Sequence, residues 1–218
     1  MRSARAIASP TERKVKTSRR CGLTQRQYRV GARTPARLHY CAPTQNRSHR
    51  NPRLTLSTRS EILAQRLEEG VRQLADLARS LSDEQWQARV PHDNRKIGVV
   101  VHHVGTMYPI EIGLAQQMAG GQGVEGVTWE KVAEMNADHA RSFDAVTKQD
   151  ALDLLQKNST AAAAAVRALT DAQLDTVVPP SLNSNGPRSC QFMLEDHAVG
   201  HAWHHLLKIR GALARSAR

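Results

Sequence analysis

Residues 195–213 read EDHAVGHAWHHLLKIRGAL, and four of the ten histidines of the chain fall within nine of these residues. On a regular helix, in which each residue turns about 100°, these four imidazoles share one arc of about 100°. The four residues are His197, His201, His204 and His205. Most of the remaining wheel is apolar, which is typical of a helix buried in a protein core. The segment therefore predicts a buried helix from about Gln191 to Leu213 with its imidazoles on one face.

Clustered, buried imidazoles favour a metal site. A buried imidazole without hydrogen-bond partners costs free energy, and burial and neighbouring like charges both lower its pKa. Neutral imidazoles one helical turn apart can reach the same divalent ion. Any single histidine could instead be a packed core residue. A carboxylate-bridged di-iron site needs Glu-x-x-His pairs, which the sequence lacks, and a compact triad suits one small ion better than haem.

A second helix, predicted from about Lys96 to Met118, carries His102 and His103. Adjacent residues on a helix point about 100° apart, so we expect only one of them to face the centre of the fold. The face of His103 is the more apolar one, and we expect His103 to point inward. The same face carries Glu111, which could orient a ligand histidine or act as a base. The alternative for Glu111 is a partly exposed surface carboxylate.

Helical periodicity continues through most of the chain after Pro52. Further helices are predicted over residues 57–82, 129–143 and 151–169, with Thr58 and Glu61 at capping-box spacing and Pro109 expected to kink the second helix or begin a new turn. A pattern of period two, which would indicate strands, is absent. Long amphipathic helices bury their apolar faces best against each other, so we predict an all-α four-helix bundle over residues 56–214.

An internal repeat supports this division. LSDEQWQARVP at residues 81–91 and LTDAQLDTVVP at residues 169–179 share Leu, Asp, Gln, Val and Pro in the same register. Each copy follows a long helix and precedes a helix that carries histidines. The repeat indicates two related helical hairpins.

The net positive charge of the chain comes from its first quarter alone. Residues 1–53 contain 14 Lys and Arg and one acid, a net charge of +13, whereas residues 54–218 contain 17 Lys and Arg and 19 acids, a net charge of −2. The basic segment has little apolar content, so we expect residues 1–55 to form a disordered extension. It could be a nucleic-acid-binding arm, a targeting segment, or an extension without function that precedes the natural start.

Other features limit the function classes. The chain has no apolar run of the ~20 residues that a membrane span needs. The glycine-rich residues 119–127 lack the Lys and Ser/Thr of a phosphate loop. The three cysteines, Cys21, Cys41 and Cys190, form no CxxC pair, so we expect a reducing, cytoplasmic setting. Cys190 lies just before the last predicted helix, whose N-terminus could lower its pKa; otherwise it is an inert core or loop thiol.

Three motifs together resemble those of the DinB-like superfamily, which includes the N-terminal metal-binding bundle of mycothiol-dependent maleylpyruvate isomerases. They are IGVVVHHVGTMYP at residues 97–109, HAVGHAWHHLLKIRG at residues 197–211 and the second copy of the repeat. The resemblance implies a four-helix bundle, often dimeric, whose divalent metal is held by His103, His201 and His205. His197 and His204 would support these ligands or replace one of them. The sequence departs from the superfamily after the last ligand, where Arg-Gly-Gln is common.

The resemblance and the histidines together lead to an expectation about activity. Zinc held by three histidines lowers the pKa of a bound water to about 7 and can do the same for a thiol; nickel and iron are alternatives. We expect a metal-dependent enzyme of transferase, isomerase or hydrolase type that uses water or a low-molecular-weight thiol on a small-molecule substrate. The alternative is a metal-binding or metal-sensing bundle without turnover. We expect a homodimer, and contact with nucleic acid only through the extension.

Overall fold

A computed structural model describes residues 59–91, 93–179 and 186–216. The predicted extension over residues 1–55 and the capping residue Thr58 lie outside the described residues. The described helices are α1 (Arg59–Ser80), α2 (Asp83–Gln87), α3 (Ile97–Ala119), α4 (Trp129–Ser142), α5 (Lys148–Arg167), α6 (Asp171–Leu174), α7 (Cys190–Leu194) and α8 (Gly200–Ser216). A π-helical turn (Glu195–Val199) joins α7 to α8, and two short strands, β1 (Val177–Val178) and β2 (Arg188–Ser189), pair antiparallel.

Four long helical segments form the core, which confirms the predicted all-α four-helix bundle. Helix α5 packs against both α1 and α3, and the segment from α7 to α8 packs against α1 and α3 from the other side. The largest fully buried side chains come from all four segments and include Leu67, Tyr108, Leu155 and Leu206. Each fully buried side chain of this kind stabilises the fold by about 1.5–3 kcal/mol. No helix in the described ranges is long and apolar enough to cross a membrane.

The two copies of the repeat fold in the same way. Ser82 and Thr170 each cap a short helix, α2 or α6, through a complete capping box with Gln85 or Gln173. Each copy then makes an antiparallel contact with the residue that precedes the next helix: Arg89 pairs with Lys96, and Val177 pairs with Ser189. The residues after α2 are thus paired with the start of α3, and the residues after α6 are paired with the start of the segment from α7 to α8. The β1–β2 pair was not predicted, because two residues are too few to show a period.

Helix α3 runs unbroken through Pro109 because another helix compensates for the proline. Proline lacks an N–H group, so it cannot donate to the carbonyl oxygen of Gly105 four residues earlier. The side chain of Asn158, on α5, donates a hydrogen bond of 2.9 Å to that oxygen instead. A Cβ atom at Gly105 would lie 3.0 Å from the backbone of Leu155, so the glycine lets α5 approach closely enough for this bond. Pro109 therefore lies within α3 and does not begin a new turn.

The last helix differs from the prediction in its bounds, its continuity and its exposure. It begins at Cys190 rather than Gln191, ends at Ser216, and is interrupted by the π turn. A Cβ atom at Gly200 would lie 2.8 Å from the carbonyl oxygen of Glu195, so the glycine permits this turn. The helix is also not buried all round, since Leu207 is 66% exposed.

Candidate metal centre

Three histidines from two helices meet inside the bundle. His103 on α3 and His201 and His205 on α8 each offer one ring nitrogen, and these three nitrogens lie within 4.8 Å of one another. The ring centroids are 4.9–5.4 Å apart. His103 and His205 are each 5% exposed, and His201 is half-buried. The structure therefore brings together the three side chains that the sequence predicted as ligands, while their binding of a metal stays a prediction.

Glu111 fixes the orientation of one member of this triad. Its Oε1 atom lies 2.5 Å from Nδ1 of His201, and the carboxylate is only 3% exposed. An ionised carboxylate can only accept hydrogen bonds, so Nδ1 carries the proton and Nε2 of His201 presents its lone pair. Glu111 is thus not the exposed surface carboxylate that the sequence left as an alternative. A carboxylate behind a histidine is the usual support of a metal ligand.

Burial keeps the other two imidazoles neutral. Burial, together with the neighbouring His201 and Arg95, lowers the pKa of His103 to about 2. Burial also lowers the pKa of His205, again with contributions from His201 and His103. Neutral imidazole is the form that binds metal ions. His103 and His205 are therefore in their ligand form at neutral pH without having to lose protons.

The triad fits a single small ion. Nitrogens that share a tetrahedral zinc ion at ~2.1 Å lie ~3.4 Å apart, so the 4.8 Å limit requires each pair to close by at most ~1.4 Å. Small side-chain rotations supply such a movement. Nδ1 of His205 is buried and has no hydrogen-bond partner within the described part of the chain, which costs free energy unless a ligand compensates. The residues present thus suit a divalent ion.

A second pair of histidines lies beside the triad, and sequence reasoning missed half of it. Nδ1 of His102 lies 2.9 Å from Nε2 of His139, which comes from α4. Both side chains are buried, although only His103 joins the triad between α3 and α8. His102 packs instead against side chains of α4, including Phe143 at its C-terminal end. His139 also contacts His103, with ring centroids 5.4 Å apart.

The remaining predicted residues are less central. His204 is exposed, although its ring packs against that of His205 at 5.0 Å. His197 lies half-buried within the π turn. Neither belongs to the group of three that could share an ion within the described residues. Cys190 is fully buried with its Sγ atom 3.2 Å from the carbonyl oxygen of Ala115, and burial raises its pKa, which favours the alternative of an inert buried thiol.

The triad forms part of the wall of a cavity of about 630 Å³, which we call the apolar cavity. Helices α3 and α4 and the loop before α4 supply most of the rest of this wall. Its apolar lining residues include Met107, Ile110, Leu114, Val124, Val127, Trp129, Val132, Met135 and Met193. A cavity of this size and character is typical of small-molecule sites.

Comparison with known proteins agrees with this architecture. The sequence pattern of the DinB superfamily matches residues 43–209. Among solved structures, YfiT from Bacillus subtilis, described as a probable metal-dependent hydrolase with an unusual four-helix bundle topology, is similar with a TM-score of 0.59 and 20% identity over 76% of this chain and 93% of that one. At this identity the likeness shows the fold alone. No curated protein matches the sequence. The bundle and the triad agree with this match. Because the superfamily pattern spans most of the chain, this protein belongs to the DinB superfamily.

Proposed function

We propose that this protein is a metal-dependent enzyme whose single divalent ion is held by His103, His201 and His205. The observation that carries the proposal is the convergence of three imidazole nitrogens from two helices within 4.8 Å, at the wall of the apolar cavity. An ion held by three histidines supplies Lewis acidity, which makes a water molecule or a thiol nucleophilic near neutral pH. Zinc is the first candidate.

Glu111 and the buried histidines have separate roles around the ion. Glu111 holds the proton on Nδ1 of His201, so that Nε2 stays available as a ligand. Burial keeps His103 and His205 uncharged. The second oxygen of Glu111 is buried without a hydrogen-bond partner among the described residues, so it can accept a proton that is released beside the triad.

The apolar cavity indicates the substrate class. Its walls are apolar apart from the histidines, Glu111, Asn136, Lys131 and Asp196, so it favours a compact molecule with an apolar body whose electrophilic carbon reaches the triad. Water as the nucleophile gives hydrolase chemistry, which agrees with the description of YfiT. A low-molecular-weight thiol as the nucleophile gives transferase or isomerase chemistry.

Metal analysis combined with activity measurement tests the proposal. Full-length protein is stripped with a chelator, reloaded with zinc and assayed for hydrolysis of nitrophenyl esters and for thiol transfer to an aromatic electrophile. We expect about one ion per chain, with binding lost in His103→Ala, His201→Ala and His205→Ala. His204→Ala is the matched control, because His204 is exposed and outside the triad.

The two classes of function predict different outcomes. An enzyme loses activity when the metal is removed and regains it on reloading, whereas a binding or sensing bundle loses only stability. Zinc bound equally by the wild type and all three triad variants would contradict the proposal. The homodimer that the superfamily implies remains a prediction, which sedimentation of the full-length protein checks.

A further inference from the structure

A second cavity, of about 1040 Å³, concentrates positive charge, and we call it the basic cleft. Six cationic and two acidic side chains line it: Arg89, Arg95, Lys96, Arg141, Lys208, Arg215, Asp93 and Asp144. Six positive and two negative charges leave a formal charge of +4, whereas residues 54–218 as a whole carry 17 positive and 19 negative charges, a net of −2. The cleft is therefore positive on a part of the chain that is slightly acidic.

The acids of the cleft do not cancel this charge. Asp93 accepts two hydrogen bonds from Arg95, at 2.5 and 2.8 Å. Asp144 lies 2.7 Å from Nζ of Lys96. Both carboxylates are thus paired inside the cleft, and Arg141 is paired with Asp138. Three cations, Arg89, Lys208 and Arg215, remain in excess. Positive charge gathered in one concave surface raises the local concentration of anions.

Two buried polar atoms of residues that line the cleft make no hydrogen bond within the described residues. Nη1 of Arg95 is buried and makes no hydrogen bond within the described residues, although the other two nitrogens of this guanidinium bind Asp93. Oδ1 of Asn136, which also lines the cleft, is buried without a partner in the same part of the chain. Unsatisfied buried groups cost free energy. A ligand that carries anionic oxygens would satisfy the guanidinium.

The basic cleft and the triad are neighbours. Asn136 and His204 line both the basic cleft and the apolar cavity. The charge of Arg95 also contributes to the lowered pKa values of His103 and His205. A molecule of modest length could therefore place one end among the cations and the other at the histidines.

We infer that the basic cleft binds a carboxylate or phosphate group of the small molecule on which the histidine triad acts, an inference that rests on the proposed function. The anionic group can belong either to the electrophile or to the thiol. A small molecule is favoured over nucleic acid, because the volume of the cleft matches a small-molecule site and, apart from His204, its lining has no aromatic ring on which a base could stack.

Binding of glutarate and of inorganic sulfate, both weak ligands of zinc, tests the inference by calorimetry on full-length protein. Lys208→Glu places a negative charge at the exposed rim of the cleft. Lys157→Glu makes the same change at an exposed position on α5 outside the cleft. We expect Lys208→Glu to weaken glutarate binding at least about threefold, as for an exposed ion pair, and Lys157→Glu to leave it unchanged. Both variants keep the basic residues 1–53, so any glutarate that binds to that segment is the same in both and does not affect the comparison.

Two matched pairs of compounds identify the source of the anion: a nitrophenyl ester with and without a distal carboxylate, and 3-mercaptopropionate against 2-mercaptoethanol. Lys208→Glu should raise the KM of the carboxylate member of one pair more than that of its neutral partner. Equal effects within both pairs, or equal glutarate affinity in the Lys208→Glu and Lys157→Glu variants, would overturn the inference. Zinc content is measured on the same samples, because a chain without zinc contradicts the proposed function rather than the cleft.

Discussion

Oε1 of Glu111 lies 2.5 Å from Nδ1 of His201, and this contact joins α3 to α8 in the interior of the bundle. It leaves the opposite nitrogen of His201 as a ligand atom and places a carboxylate behind it. Since His103 lies two turns before Glu111 on the same helix, α3 supplies both a candidate ligand and the support of another one. The geometry of the triad thus depends on the register between two helices.

Replacing Glu111 should weaken metal binding without removing a ligand. Glu111→Gln keeps the shape of the side chain but removes the negative charge that supports His201, and such supporting residues contribute roughly 10- to 100-fold in metal affinity. Competition with a chromophoric chelator measures the affinity. Glu134→Gln is the control, because Glu134 is an exposed carboxylate on α4. Unchanged zinc affinity in Glu111→Gln would show that the carboxylate does not support a ligand.

Asn158 should stabilise the bundle through the carbonyl group that Pro109 leaves unpaired. Asn158→Ala removes the donor to the oxygen of Gly105, and an unsatisfied buried carbonyl costs about 1–3 kcal/mol. Urea unfolding of the metal-free protein measures the loss. Lys157→Ala, at an exposed position on the same helix, should change the free energy of unfolding by less than about 0.5 kcal/mol. Equal stability of the two variants would contradict this account of how α3 tolerates proline.

Two glycines of α3 should respond in opposite directions to the same substitution. A Cβ atom at position 105 would lie 3.0 Å from backbone atoms of Leu155, whereas one at position 113 would meet nothing within 4 Å. Gly113→Ala should raise the melting temperature, since alanine favours the helix by about 0.5–1 kcal/mol. Gly105→Ala should lower it, because overpacking costs about 1–3 kcal/mol. A rise in both variants would show that α3 and α5 are not in close contact.

The metal-free protein should lose stability in mild acid. In the folded state the pKa of His103 is lowered from 6.5 to about 2, mainly by burial. The unfolded chain therefore binds more protons at this histidine below pH 6.5, and the free energy of unfolding falls as the pH drops, by up to about 1.4 kcal/mol per pH unit. Urea unfolding at pH 7.5, 6.5 and 5.5 measures the slope. A slope that is the same in His103→Gln as in the wild type would contradict the burial of a neutral imidazole.

Two features could be predicted from the sequence because local patterns determine them. The spacing of His201 and His205 places them on one face of any regular helix. The apolar face around His103 indicated that this residue points inward. Each of these inferences needs only the geometry of one helix, and the structure agrees with both.

Other features depend on contacts between distant segments. His139 lies 37 residues from His102 along the chain, and nothing near it in the sequence shows that α4 covers α3 at that point. The π turn displaces His197 from the phase of a regular helix, which a wheel of fixed angle cannot represent. The basic cleft joins residues from the end of α2 to the end of α8. Such sites exist only after the helices have packed.

X-ray absorption at the zinc edge of the reloaded, full-length protein tests the central claim most directly. The account predicts one zinc ion per chain with three imidazole nitrogens at about 2.0–2.1 Å and one further light atom. His103→Ala should remove one imidazole contribution or the metal altogether. A spectrum with fewer than three imidazoles in the wild type, or with sulfur as a ligand, would contradict a metal centre formed by His103, His201 and His205.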